Sequence, residues 1–182
     1  TFDDLFVLLV HGLVFKFFGS TEPGVIARGS SAYPFLVTGQ HRYRFGWHKQ
    51  SEGAKIFQAL KPASSGVLVV RSRDLALTDA DLPARAERNS SINVHWGPDP
   101  TWSAGCQVMQ GQAYVDPEGR KRDCSTFAAS GYAALGTRRK GVIQTKGAYT
   151  LLSDLVTALS GAIPGDNIVH YMLISDQDLA LD

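Results

Sequence analysis

The chain has 182 residues, of which 44% are hydrophobic and 19% are charged, and its formal net charge at pH 7 is +1. This length and apolar content fit one domain with a proper hydrophobic core, so we expect residues 1–182 to form a single domain. The balanced charge argues against a strongly basic nucleic-acid binder and against a partner selected by charge alone. We therefore expect no nucleic-acid partner.

The first apolar stretch, residues 5–18, resembles a membrane or signal segment only superficially. It has 14 residues, where a bilayer span needs about 20. It also follows two aspartates and is interrupted by Lys16, which is not the pattern of a signal peptide. We predict a β-hairpin that turns at His11 and Gly12, and no membrane span.

The remaining pattern predicts an α+β fold that is mostly β, with two helices in the C-terminal third. One helix is expected over residues 124–135, with Asp123 as its N-cap and Gly136 at its end. The second is expected over 148–159, where apolar residues recur at helical spacing. Short runs rich in β-branched and aromatic residues predict the strands, at 35–37, 41–45, 56–60, 67–71, 91–95, 108–109 and 168–174.

The chain contains only two cysteines, Cys106 and Cys124. Two cysteines do not make a disulfide scaffold, although one bridge between them is an alternative that would consume a thiol nucleophile. Cys106 lies in a turn of small residues, and His95 ends an apolar run eleven positions earlier. An imidazole that faces a thiol can remove its proton. A lone cysteine is also commonly a small buried apolar side chain, so both interpretations stay open on spacing alone.

His95 followed by Ser103-Ala104-Gly105-Cys106 resembles the active-site signature of the YkuD-type L,D-transpeptidases. The resemblance is specific over residues 91–108 and diffuse elsewhere. It is closest to short, divergent relatives with a compact His-to-Cys spacing, some of which are secreted antibacterial effectors or phage-associated proteins. It implies an L,D-transpeptidase-like catalytic domain, peptidoglycan stem peptides as partners, and a periplasmic or extracellular site of action. The export route stays open, because the chain begins at Thr1 rather than Met and either a removed signal or a separate delivery domain is compatible with that.

The resemblance implies that Cys106 is the nucleophile and His95 its base. The thiolate, paired with imidazolium, would have a pKa below that of a free thiol. Ser103 is expected to support the site by hydrogen bonding, and the amides of Gly105 and Cys106 to stabilise the oxyanion. The resulting thioester is resolved by an amine in a transpeptidase, or by water in a carboxypeptidase or endopeptidase. The motif does not distinguish these outcomes.

Two positions depart from the family pattern. Ala104 occupies the place of the usual His, and Val108 the place of the usual Arg or Asn. The standard contact to a substrate carboxylate is therefore not expected at position 108. These departures also motivate a second hypothesis, a wall-binding module without catalysis.

Four further residues are candidates for substrate binding. His48 follows an aromatic residue in a segment that can line a groove or simply end a half-exposed loop. Trp96 and Trp102 flank the pair and can wall a cleft or serve packing alone. Arg71, at the end of a strong strand, can hold a substrate carboxylate or pair with an internal acid.

A third hypothesis uses the other cysteine. Asp123-Cys124-Ser125 resembles the nucleophile segment of NlpC/P60 cell-wall peptidases, in which a cysteine opens a helix whose dipole lowers the thiol pKa. His170 is then the candidate partner, although a histidine on an apolar strand also fits a satisfied core position. The histidines show no paired metal-ligand spacing and no nucleotide-binding loop is present, so we expect no metal and no cofactor.

Overall fold

The computed structural model describes residues 2–24, 32–48, 56–72, 77, 85–160 and 167–176. Half of the described residues are in β-strands, and the same part of the chain contains one helix of seven or more residues rather than two. The class is mostly β. The predicted α+β class with two C-terminal helices is therefore wrong.

The main sheet is a half-barrel of eight strands. In spatial order it consists of β1 (Asp4–Val10), β2 (Leu13–Ser20), β9 (Gln107–Val115), β8 (Val94–Trp96), β5 (Phe57–Pro62), β4 (Gly39–His48) and β13 (Ile168–Leu173), while β10 (Lys121–Asp123) pairs with β9. Every neighbouring pair is antiparallel except β8 and β9, which are parallel.

Smaller elements complete the described fold. A three-stranded antiparallel sheet contains β3 (Tyr33–Leu36), β6 (Val67–Ser72) and β7 (Glu87–Asn89), and a two-stranded ribbon contains β11 (Arg138–Arg139) and β12 (Val142–Ile143). The helix is α1 (Ala148–Ser160), and short 3-10 turns occupy Pro100–Trp102 and Tyr132–Ala134.

The predicted N-terminal hairpin is confirmed. Strands β1 and β2 pair along their length, and the turn residues His11 and Gly12 have φ angles of +46° and +80°. Positive φ at both central residues is what a two-residue type I′ turn requires, and this turn matches the twist of the flanking strands. Glycine at the second position adopts that conformation without a steric penalty.

The predicted helix over residues 124–135 does not form. Asp123 Oδ1 accepts a hydrogen bond from the Ser125 N–H at 2.8 Å, which is a local turn rather than the start of a helix. The chain then pairs with a distant segment, because Thr145 N donates to Phe127 O and Ala129 N donates to Thr145 O, each at 2.8 Å. Tertiary hydrogen bonds therefore replace the helical ones that the capping signals favoured.

The second predicted helix is confirmed as α1. Its buried positions include Tyr149, Leu152 and Val156, which recur at helical spacing and belong to the main core. The Tyr149 hydroxyl donates to the backbone carbonyl of Gln58 on β5 at 3.0 Å. This bond fixes the first turn of α1 against the sheet.

Trp96 lies in the core of the half-barrel. It is 0% exposed, and its ring meets Phe57 at 6.3 Å and Tyr132 at 5.1 Å in edge-on geometry. Trp102 contacts the same Tyr132 at 5.6 Å but is 44% exposed. The two tryptophans therefore differ in burial while sharing a neighbour.

This difference predicts unequal stability losses. Trp96→Ala leaves a large cavity and should lower the free energy of unfolding by about 3–5 kcal/mol. Trp102→Ala removes a half-exposed ring and should change it by less than about 1 kcal/mol. Chemical denaturation of the two variants measures both values, and equal losses would show that Trp96 is not the packing residue described here.

Candidate active site

The site is built by an unusually short connection between parallel strands. Only ten residues, 97–106, join the end of β8 to the start of β9, where parallel neighbours usually need a crossover of about a dozen residues or more. The connection is compact because Asp99 caps the 3-10 turn, with its Oδ1 accepting from Thr101 N at 2.8 Å. Cys106, at its end, therefore returns to the beginning of β8 and lies beside Asn93.

Cys106 is partly buried, and its thiol contacts the backbone of the segment before β8. Its Sγ accepts from Asn93 N and donates to Ser91 O, both at 3.4 Å. Burial raises the pKa of the thiol above its ordinary value, although the Asn93 N–H and the Ser103 side chain act in the opposite direction. The thiol is therefore protonated at neutral pH. The predicted lowering of its pKa by a preformed ion pair with imidazolium is wrong for this state.

His95 lies on β8 and is 2% exposed. Its Nδ1 lies 2.8 Å from the carbonyl of Trp96, and a carbonyl can only accept, so Nδ1 carries a proton; in a neutral imidazole Nε2 then carries the lone pair. The pairing of His95 with Val108 places Cys106 two residues back on the adjoining strand. Strand geometry puts the two Cα atoms about 8 Å apart, a separation that the two side chains can bridge. The thiol donates a hydrogen bond to the carbonyl of Ser91.

His48, predicted as a groove residue, lies beside the base. Its ring stacks on that of His95, with centroids 4.2 Å apart and planes at 19°. The Asn93 Nδ2 group donates to His48 Nδ1 at 3.2 Å, so His48 and the thiol share Asn93 as a neighbour. Asn93 was missed in the sequence, although strand alternation from His95 marks it as the residue on the same face.

Ser103 and Gly105 form hydrogen bonds within the turn that precedes β9. Ser103 Oγ accepts hydrogen bonds from the N–H groups of Gly105 at 3.3 Å and of Cys106 at 2.8 Å. The two amides predicted to stabilise an oxyanion are therefore already bonded within the turn. A Cβ at position 105 would lie 2.6 Å from the carbonyl oxygen of Pro34, so this glycine is required by packing against β3.

The predicted substrate-binding residues are only partly brought together. Trp96 is fully buried and cannot wall a cleft, because the aromatic residues around it exclude solvent. Trp102 remains a candidate wall, since it is exposed beside Tyr132. Arg71 lies on β6 of the smaller sheet and pairs with Glu87 at 2.6 Å. Of the two roles open to Arg71, the structure shows the ion pair with an acid.

Cys124 and His170 do not form a catalytic pair. Cys124 is in the hydrophobic core, and burial together with Asp123 raises the pKa of its thiol. His170 is on β13, the strand at one edge of the sheet, whereas β10 pairs with β9, and its Nδ1 lies 3.2 Å from Gln40 Nε2. It is exposed, so the expectation of a core histidine is also wrong. Both cysteines are free thiols, and the alternative disulfide between them does not form.

Comparison with protein-family models, with curated proteins and with solved structures finds no match to this chain. Within the described ranges, no group of three or more His, Cys, Asp or Glu residues is arranged to hold a metal ion. The same part of the chain contains no helix of the length and hydropathy that a membrane crossing requires.

The two thiols predict a selective alkylation pattern. In the folded protein, iodoacetamide should modify Cys106, which is only partly buried, and spare Cys124, which is buried. Because burial raises the pKa of Cys106, its rate should keep rising about tenfold per pH unit from pH 7 to beyond the ordinary thiol value, as the thiolate fraction grows. Intact-mass spectrometry against time measures the rate. A plateau already at pH 6–7 would instead reveal a thiolate–imidazolium pair.

Proposed function

We propose that the protein is a cysteine-dependent peptidoglycan enzyme that acts on stem peptides through a thioester at Cys106. It would be a divergent relative of the YkuD-type L,D-transpeptidases. The proposal depends on one observation above all: a partly buried thiol, immediately before the strand that pairs with β8, lies near a histidine of β8 whose Nδ1 is anchored to a carbonyl. That anchoring leaves Nε2 as the nitrogen able to accept a proton. The site of action would be the periplasm or the cell exterior, where peptidoglycan lies.

The chemistry begins from the protonated thiol. On substrate binding, the S–H turns from the Ser91 carbonyl towards His95 and gives its proton to Nε2. The thiolate then attacks a stem-peptide carbonyl, and the tetrahedral intermediate collapses to a thioester as the leaving amine takes the proton from His95. An amine or water then attacks the thioester, restores the thiol and gives transfer or hydrolysis respectively.

The developing oxyanion needs a donor beside the sulfur. The amides of Gly105 and Cys106 are bonded to Ser103, whereas the Asn93 N–H points at Sγ itself. Asn93 N is therefore the backbone donor that we assign to the oxyanion once the sulfur is acylated.

A second candidate, a wall-binding module without catalysis, is favoured by a specific observation. Burial raises the pKa of the thiol, which donates a hydrogen bond to the Ser91 carbonyl, and Ala104 and Val108 replace polar residues of the family pattern. A carbapenem, which acylates active-site cysteines of this enzyme class, separates the two. A stoichiometric adduct on Cys106 supports the enzyme, and its absence supports the binding module.

Digestion of purified muropeptides, followed by mass spectrometry of the products, tests the function directly. Cys106→Ala should lower turnover by about 10³-fold or more, since the nucleophile is lost. His95→Gln should lower it by about 10²–10⁴-fold, because the base is lost.

Cys124→Ala is the matched control and should retain activity, with circular dichroism used to verify that each variant is folded. Full activity of Cys106→Ala would remove the proposed nucleophile and with it the proposal.

A further inference from the structure

Lys146 lies immediately before α1 with its ammonium group over an aromatic ring. Its Nζ is 5.4 Å from the centroid of Phe57, and its side chain is half-buried. None of the ion pairs found among the described residues involves it. Burial lowers the pKa of this lysine, while Asp154 on α1 acts in the opposite direction. A partly desolvated cation with no carboxylate in direct ion-pair contact can attract a further anion.

The aromatic ring beneath Lys146, that of Phe57, connects this lysine to the proposed catalytic site. Phe57 contacts His48 at 5.2 Å and His95 at 6.2 Å. It also contacts Tyr132 at 5.8 Å, and Tyr132 in turn meets the exposed Trp102 at 5.6 Å. The aromatic path defined by Trp102, Tyr132 and Phe57 thus leads from the surface to the histidines, with the Lys146 ammonium beside it.

The backbone holds Lys146 in this place. The next residue, Gly147, has a φ angle of +57°, and a Cβ there would overlap the carbonyl oxygen of Gly111 on β9. The Lys146 carbonyl accepts a hydrogen bond from Tyr149 N at 3.3 Å, at the start of α1. The position of this ammonium group is therefore set by the fold, which is what a specific binding residue requires.

We infer that Lys146 binds a carboxylate of the peptide substrate, with Trp102 and Tyr132, the accessible end of the aromatic path, as the apolar surface beneath the peptide. The inference rests on the proposed function and deepens it, because it identifies the ligand as a peptide with a free carboxylate. A charge-assisted contact of this kind, partly shielded from water, is stronger than one at an exposed lysine.

The test uses Cys106→Ala, which can bind but not turn over, and isothermal titration calorimetry. The probes are a peptidoglycan stem tetrapeptide with its carboxylates free and the same peptide with every carboxylate converted to a carboxamide. Lys146→Gln in this background should weaken binding of the free acid by about tenfold or more. The carboxamide should bind the Lys146 and Lys146→Gln forms equally weakly, and Lys146→Arg should restore part of the affinity.

Lys121→Gln provides the matched control. Lys121 is also placed over an aromatic ring, 5.8 Å from Phe18, but on β10 and exposed, so its loss should not change the affinity. With Cys106 intact, Lys146→Gln should raise KM more than it lowers kcat.

The outcomes separate the two proposals. Equal affinity of the free acid for the Lys146 and Lys146→Gln forms, or no binding of the free acid at all, overturns the carboxylate site. Lys146-dependent binding together with a wild-type protein that neither turns over muropeptides nor forms an adduct on Cys106 overturns the enzyme while the carboxylate site stands.

Discussion

The parallel pairing of β8 with β9 is the constraint on which the candidate site depends. The hydrogen bonds from Gln107 N to Asn93 O at 2.9 Å and from Gly97 N to Met109 O at 3.0 Å mark its two ends. Because the connection must travel back along β8 before β9 can begin, Cys106 arrives at the level of Asn93. An antiparallel hairpin of the same length would have brought Cys106 to the other end of β8. This crossover brings the Cys106 thiol to the beginning of β8 near His95, and the pairing of β4, β5 and β8 brings His48 against His95.

Gln107 secures that crossover to the rest of the sheet. Its side chain is fully buried, its Nε2 donates to Thr21 O at 3.1 Å, and its Oε1 accepts from the Tyr171 hydroxyl at 3.2 Å. These bonds tie the start of β9 to the end of β2 and to β13. A buried polar side chain whose donor and acceptor groups both form hydrogen bonds fixes a single arrangement. Gln107, the residue after Cys106, is therefore held by hydrogen bonds to two other parts of the fold.

The electrostatics describe the site in the absence of substrate. Burial keeps the Cys106 thiol protonated, and the proton acceptor on His95 is held in one tautomer by Trp96 O. In the proposed enzyme, proton transfer from Cys106 to His95 would therefore accompany substrate binding rather than precede it. This arrangement protects the thiol from reagents in the surroundings, because the thiolate is the reactive form.

Local patterns predicted the hairpin and α1, because turn chemistry and helical spacing act over a few positions. The roles expected of His95, Cys106 and His48 stay predictions. Local patterns did not predict that residues 124–135 form hydrogen bonds with Thr145 instead of a helix, because those bonds come from a segment that is distant in the sequence. The burial of Trp96, the packing need for Gly105 and the place of Lys146 over Phe57 also depend on segments far apart in the chain. No spacing rule contains that information.

The most direct test of the account is the trapping of an acyl-enzyme. A synthetic stem peptide is incubated with the wild-type protein and with His95→Gln, and intact and peptide-level mass spectrometry locates any adduct. The account predicts a hydroxylamine-sensitive thioester at Cys106 that forms in the wild type and is lost without the His95 imidazole. An adduct on Cys124, one that forms equally fast in His95→Gln, or none at all would contradict it.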